Sequence, residues 1–341
     1  MLGILTVNTG TPDAPRANDV HRFLARFLND PRVVELPRIF WRPLLMILIL
    51  PLRSPRSARN YRRIWMDDGS PLTVYSRQLR DALELELDAQ LGGEVLIDSA
   101  FLYSEPGVAK SLQRLQDAGA RRIIVLPLFP QCSGTTTGAV YDQVGATLRG
   151  WRDLPNLRLI SDYHADPGYI GALANSVREH WQQHERTEHL LMSFHGIPER
   201  CVQRGDPYER QCRATAALLA AALDLQASEW TLSFQSRFGN ARWLSPPTDS
   251  TLAELPGKGV RSLTVLCPGF AVDCLETLEE IAIGGREIFM HAGGERFQYV
   301  NSLNGRADHA QALARLLLDA APAPAALPAA AAPPAAALST G

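Results

Sequence analysis

Eight short runs of β-branched and apolar residues recur along this chain, with amphipathic stretches between most of them. The runs are GILTVN (3–8), VLIDSAF (95–101), RIIVLPLF (122–129), LRLISDY (157–163), HLLMSF (189–194), WTLSFQ (230–235), SLTVLCP (262–268) and FQYV (297–300). Nearly continuous apolar strands, rather than alternating ones, belong in parallel sheet covered on both faces by helices. Helical spacing at 76–91, 107–119, 169–184 and 208–223 supplies those covers. The connections are uneven and residues 9–94 show no strand pattern, so two doubly wound sheets of about four strands are expected rather than one closed barrel. The division falls in the stretch 150–165.

In such sheets ligands bind beyond the C-terminal ends of the strands. The segments there are NTGTPDAP, PQCSGTTTGAVYD, HGIPER, SRFGNARWLSPPT and GFAVDCLETLEEI. They hold much of the Gly, Pro, Ser and Thr punctuation, together with His195 and a group of acids, as expected of an enzyme or a ligand-binding protein. No glycine-rich phosphate loop or dinucleotide fingerprint follows a strand, so no nucleotide cofactor is expected. SGTTTG offers N–H groups and hydroxyls to an anion, but such glycine pairs are common in loops.

A helix over DCLETLEEI would place Glu276 and Glu280 one turn apart, with Asp273 three residues before Glu276. This is either a solvated first turn favoured by the helix dipole or a set of acids beside a cation or a moving proton. His195 is likewise either a hydrogen-bonded strand end or a ligand. His180 and His184 have metal-binding spacing but sit among Arg178, Gln182, Gln183, Glu185 and Arg186, as a solvated face would.

A net charge of −2 gives no reason to expect nucleic acid as a partner. The five cysteines form no C-x-x-C pair and no signal peptide precedes GILTV, which points to a reducing cytoplasm. The stretch FWRPLLMILILPL (40–52) is too short to cross a bilayer; it is broken by Arg42 and Pro43, ended by Pro51, and flanked by arginines. It reads either as a core helix or as an apolar lip for a membrane surface or a flat apolar ligand. The Ala/Pro stretch 319–341 has nothing with which to build a core and is expected to be a disordered tail.

Taken together, the loops resemble the ferrochelatases. LLMSFHGIPER, SFQSRFGNARWLSPPT, VLCPGFAVDCLETLEEI, VNTGTP, NYRRIWMDDGSPL, PLFPQCSGTTTG and SLNG match that family's blocks in order, over residues 2–316. The resemblance implies two Rossmann-like domains, residues 1–155 and 156–305, facing each other across an active-site cleft, with a terminal helix at 306–318. It implies insertion of Fe(II), as substrate metal, into protoporphyrin IX in haem biosynthesis. His195 and Glu276 would be the catalytic, metal-contacting pair on opposite faces of the ring, with Asp273 and Glu280 extending an acidic path. Arg63 would meet a propionate, with Ser70 and Tyr103 near it, and Thr9 and Tyr103 would line the ring. In this setting residues 36–60 become the lip, and 40–52 the part available for peripheral contact with the inner face of the membrane.

Four departures from the family pattern stand out. Gly134 occupies the loop position that carries a cluster cysteine in some members, and no cysteine follows Cys274, so no iron–sulfur cluster is expected by that ligand set. Cys274 stands where a histidine often precedes the glutamate, Glu279 where many members have tyrosine, and Leu102 where some have an arginine near the porphyrin. The competing readings are a coproporphyrin or sirohydrochlorin chelatase, whose substrates carry more carboxylates than a greasy lip suits, and a porphyrin or haem carrier, which needs no base on the second face.

Overall fold

The computed structural model describes residues 1–93, 95–239 and 241–321 and contains two four-stranded, all-parallel sheets. The first comprises β1 (Leu2–Asn8), β2 (Val95–Phe101), β3 (Arg122–Pro127) and β4 (Asn156–Leu159), in the order β2-β1-β3-β4. The second comprises β5 (His189–His195), β6 (Trp230–Gln235), β7 (Ser262–Leu266) and β8 (Arg296–Tyr299), in the order β6-β5-β7-β8. All eight expected strands are present, and both sheets have the same winding. Each chain path steps from its first strand to one side and then crosses to the other. The crossings leave crevices between β1 and β3 and between β5 and β7, at the strands' C-terminal ends.

Strand β4 hydrogen-bonds to β3, so residues 156–159 lie in the first sheet although a division after residue 155 assigns them to the second half. The chain crosses over after that strand, and helix Pro167–Gln183 then packs against helix Tyr208–Ala222 of the second half. The last helix, Ala307–Ala320, runs two residues beyond the expected 318 and packs on both Pro71–Leu91 and Pro167–Gln183. The rest of the expected tail, 322–341, lies outside the described residues. One continuous apolar cluster joins the halves, with Ile4, Leu79 and Leu83 from the first and Leu190, Phe194 and Leu313 from or beside the second.

Residues 38–64 follow one helical path, which corrects the expectation that prolines break and end it. Pro51 lacks the N–H that an α-helix would bond to residue 47, and its ring would crowd that carbonyl. A π-helical turn over Leu45–Ile49 precedes it, in which the Leu50 N–H reaches back five residues to the Leu45 carbonyl. The wider turn lets the path continue through Pro51 and Pro55. Trp41, Leu45 and Leu50 anchor this segment on Leu28 and Val34, and Trp41 Nε1 donates to the Leu28 carbonyl at 2.7 Å. Other large apolar residues of its first half face outward, among them Ile39 (77% exposed), Phe40 (75%), Ile47 (78%) and Leu52 (70%), while Ile49 packs on the anchoring cluster. The lip is a surface and not core. Among the described residues no helix is long and apolar enough to cross a membrane.

His309, inside the last helix, is fully buried; its Nδ1–H donates to the Asn304 carbonyl at 2.9 Å, while Nε2 has no partner. Burial pushes its pKa down to about 4, below the ordinary value near 6.5. The unfolded chain therefore binds the extra proton first, and stability present above about pH 6.5 is lost as pH falls toward 4. The loss attributable to this group is about 3 kcal/mol. Urea unfolding at about pH 7.5 and pH 4 should show the wild type losing that much more stability than His309→Asn, and equal losses would contradict the assignment.

Candidate active site

The site gathers where β5, β6 and β7 end. His195 closes β5, and in the parallel ladder it stands opposite Gln235, the last residue of β6. The chain must then turn tightly, because the Gly196 N–H donates to the Gln235 carbonyl at 2.8 Å. A Cβ at residue 196 would lie 2.8 Å from that same oxygen and 3.3 Å from the Trp243 ring, so only glycine fits. The His195 backbone N–H also donates to the Tyr208 hydroxyl oxygen. Its imidazole is half-buried, with Nδ1 2.7 Å from the Gly196 carbonyl. A carbonyl can only accept, so that nitrogen carries the hydrogen and Nε2 keeps its lone pair. Phe270, from the turn after β7, lies beside the imidazole with ring centroids 6.4 Å apart.

Gln235 connects the histidine to the acids. Its side-chain oxygen accepts from Ser193 Oγ at 2.7 Å, and its Nε2 donates 2.8 Å to the main-chain carbonyl of Glu276. Glu276 opens a π-helical segment, Glu276–Gly285, rather than the α-helix its spacing suggested. Such wide turns concentrate at functional sites. Glu280, further along it, accepts from both the N–H (2.7 Å) and the hydroxyl of Ser236. Ser236 holds φ at 65°, a left-handed conformation uncommon outside glycine. Burial raises the Glu280 pKa and the neighbouring Glu276 adds to the effect, while the Ser236 bonds and His195 oppose it. The imidazole and both carboxylates therefore share one electrostatic neighbourhood. A pocket of about 530 Å³ opens beside them, lined by Gln235, Ser236, Phe238, Trp243 and Glu280 among others.

Asp273 is a buried acid with its acceptor positions filled. It is 1% exposed, and its Oδ1 accepts from Thr277 Oγ1 (2.8 Å), Tyr299 OH (2.8 Å) and the Ser302 N–H (3.3 Å). Its Oδ2 accepts from Asn304 Nδ2 at 2.9 Å, and Asn304 Oδ1 in return takes the Asp273 N–H at 2.8 Å. These donors come from the π-helical segment, the end of β8 and the SLNG loop. The carboxylate is a brace for the segment that carries Glu276.

The residues expected to meet porphyrin each have partners within the protein. Ser70 caps helix Pro71–Leu91, accepting the Thr73 N–H at 3.2 Å, and is buried. Tyr103 is core: its hydroxyl donates to Asp30 Oδ2 at 2.9 Å, its ring meets Phe27 edge-on at 5.1 Å, and burial with Asp30 pushes its pKa up. Arg63 donates to Glu279 (2.9 Å) and Glu287 (3.1 Å), and Asn60 Nδ2 also donates to Glu279 at 2.9 Å. Thr9 is half-buried at the end of β1, its carbonyl accepting the Tyr103 N–H at 3.1 Å. Position 134 is committed too: the Gly134 N–H and Ser133 hydroxyl donate to Asp206 at 2.8 and 2.9 Å, so the protein's own carboxylate fills that anion cradle.

Gln235, Ser236 and Asn60 were not singled out from the sequence. A neutral amide or hydroxyl carries no signal of its own there; only its place in the FQSR and NYRR blocks marked it. Among the described residues no three His, Cys, Asp or Glu side chains converge as a ready metal site.

Comparison with known proteins gives the family and the fold. The family Ferrochelatase matches residues 1–321. A ferrochelatase from Aeromonas hydrophila subsp. hydrophila is 54% identical, the alignment covering 92% of this chain and 97% of that one. Those of Thioalkalivibrio sulfidiphilus and Methylococcus capsulatus are 51% and 49% identical, over 93% and 92% of this chain and 86% and 95% of theirs. Among solved structures, SirB from Bacillus subtilis with Fe3+ shares the fold at a TM-score of 0.55 and 11% identity, over 93% of this chain and 94% of that one. CbiX, the terminal enzyme for biosynthesis of siroheme in denitrifying bacteria, does so at 0.51 and 13%, over 94% and 99%.

The brace is testable. Asp273→Ala strands several buried donors, at a cost of about 3 kcal/mol in urea unfolding. A variant as stable as wild type would return Asp273 to the role of an exposed acid.

Proposed function

The chain belongs to the ferrochelatase family, and we propose that it inserts Fe(II) into protoporphyrin IX to give protohaem, with His195 and Glu276 carrying the step. The observation that supports these two residues is the Gln235 side chain, which stands opposite His195 in the sheet and holds the Glu276 carbonyl at 2.8 Å. One buried amide thereby ties Ser193, on the strand that ends in His195, to the main chain of the π-helical segment that carries Glu276.

Insertion takes two pyrrole N–H protons from the ring and places Fe(II) on the four nitrogens they leave. Nε2 of His195 has the free lone pair that this chemistry needs, because Nδ1–H is spent on the Gly196 carbonyl. It can accept a proton or hold the ion at one face. Glu276 can do the converse at the other, and Glu280, whose burial favours the protonated form, stands beside it to take a proton onward. An ion that must leave for the porphyrin is served by few protein ligands rather than a closed set. The half-buried Phe270 beside the imidazole provides an apolar wall for a flat ring.

Anaerobic Fe(II) and protoporphyrin, followed by the absorbance of haem, test this reading. His195→Ala and Glu276→Gln should each lower turnover by about 100-fold or more. Wild-type turnover in either variant contradicts the assigned roles, and faster metallation of coproporphyrin contradicts the substrate.

We further propose that the outward apolar residues of the lip touch a membrane surface, where protoporphyrin, barely soluble in water, resides. Arg38, Arg42 and Arg56 lie along the same helical path and suit an anionic headgroup layer. Burying one isoleucine side chain is worth about 1.5–3 kcal/mol. Ile47→Asp should therefore weaken co-sedimentation with anionic vesicles by about tenfold. Unchanged sedimentation would remove the membrane from the account.

A further inference from the structure

The Gly196 carbonyl fixes which way the His195 ring turns, but only relative to its own main chain. Where that main chain stands is a separate matter, because the last residues of β5 are paired on one side only. The register with β7 ends at Met192 and Leu266, whereas the register with β6 runs through to His195 and Gln235. The amides of Leu190 and Gly196 both donate to carbonyls on the β6 side, and N–H groups alternate between the two sides along a strand. The His195 N–H therefore points to the side where β7 has already ended.

Tyr208 occupies that side. It is buried at the start of helix Tyr208–Ala222, and its hydroxyl oxygen receives the His195 N–H. A Cβ on Gly269 would lie 3.7 Å from the same hydroxyl, which sets it beside the turn that carries Phe270. One hydroxyl thus continues the ladder that β7 leaves off.

Tyr208 is held in turn by its own main chain. Its N–H donates to Asp206 Oδ1 at 3.0 Å. The other oxygen, Oδ2, accepts the Ser133 hydroxyl at 2.9 Å and the Gly134 N–H at 2.8 Å, both from the loop after β3 in the first half. Asp206 is half-buried and, among the described residues, forms no ion pair, so neutral donors hold its charge. The loop leads into helix Thr137–Leu148, whose N-terminus favours an anion. A carboxylate only accepts; an amide of the same size would, in either orientation, turn its NH2 group against a backbone N–H. Two further contacts follow this seam but reach the helix beyond Tyr208: the Cys132 N–H to Gln211 Oε1 at 2.6 Å, and Gln131 Nε2 to Thr215 Oγ1 at 3.0 Å. They keep the helix docked when Asp206 is changed.

Resting on the reading that His195 acts on the metal, we propose that Asp206 is a positioning residue for it, setting through Tyr208 where the imidazole stands relative to the first half. A reacting group displaced by about 1 Å loses about 100-fold in rate. Two measurements separate positioning from general structure: the single-turnover rate of Fe(II) insertion, with protein in excess, and the affinity for protoporphyrin IX by fluorescence quenching. Asp206→Asn and Tyr208→Phe should each slow insertion by about tenfold while leaving affinity within about twofold. Tyr208→Phe keeps the ring in the core and loses only the oxygen, so it tests the same path without disturbing the seam. In a His195→Ala background, Asp206→Asn should slow the residual rate by less than about twofold, since the imidazole it places is gone. The inference is overturned if either single variant inserts iron as fast as wild type, if affinity falls as much as rate, or if Asp206→Asn slows the His195→Ala protein by about tenfold as well. Wild-type rates in His195→Ala would instead refute the proposed role of the histidine, a result distinct from any of these.

Discussion

Asp273 is an acidic side chain placed where water scarcely reaches it, and donors from the π-helical segment, the end of β8 and the SLNG loop converge on its two oxygens. Burying such a group is costly unless its acceptor positions are filled. Here they are filled by groups that would otherwise be loose at the edge of a sheet. The consequence is geometric: the residues that satisfy Asp273 are also those that decide where Glu276 begins its π-helical turn. Gln235 then completes the link by holding the Glu276 carbonyl from the end of the neighbouring strand. The order of dependence runs from a buried carboxylate, through its donors, to Glu276 three residues away.

The two sheets place this apparatus. Both wind in the order that leaves a crevice beside their first strand, and in the second sheet His195 and Phe270 flank that crevice from β5 and from the turn after β7. A shared apolar cluster and the C-terminal helix join the halves, so the cleft is bordered by a large hydrophobic contact rather than a flexible linker. Polar ties between the halves include Asn60 and Arg63 to Glu279, Arg63 to Glu287, Ser133 and Gly134 to Asp206, Gln131 to Thr215, and Arg204 to Glu35 at 2.6 Å. The lip stands outside this frame, anchored by Trp41, Leu45 and Leu50 and apolar on its outer side.

The strands were legible because a run buried on both faces must be apolar throughout, and few other local structures demand that of five or six consecutive residues. The position of His195 followed from the same pattern, with Gly196 marking the tight approach to β6. The path through Pro43, Pro51 and Pro55 was not legible, since a π-turn that accommodates proline leaves no compositional trace. The partners of the residues expected to meet porphyrin were hidden for another reason. Residue type shows what a side chain can bind, but its actual partner is set by tertiary neighbours. Asp30 takes Tyr103, the helix start takes Ser70, and Glu279 takes Arg63. Glu279 was visible as a departure from the family pattern, yet nothing in the sequence linked it to a residue more than two hundred positions earlier. Asp273 shows the same limit, for neither its spacing nor the family resemblance showed the donors that surround it.

The central claim is that one imidazole and one carboxylate, carried on backbone segments joined through Gln235, together contact the metal that is being inserted. X-ray absorption at the iron edge, on the anaerobic protein loaded with Fe(II) and without porphyrin, measures this directly. The account predicts an imidazole signature that disappears in His195→Ala and an oxygen shell that shrinks in Glu276→Gln. A spectrum unchanged by either substitution would contradict it.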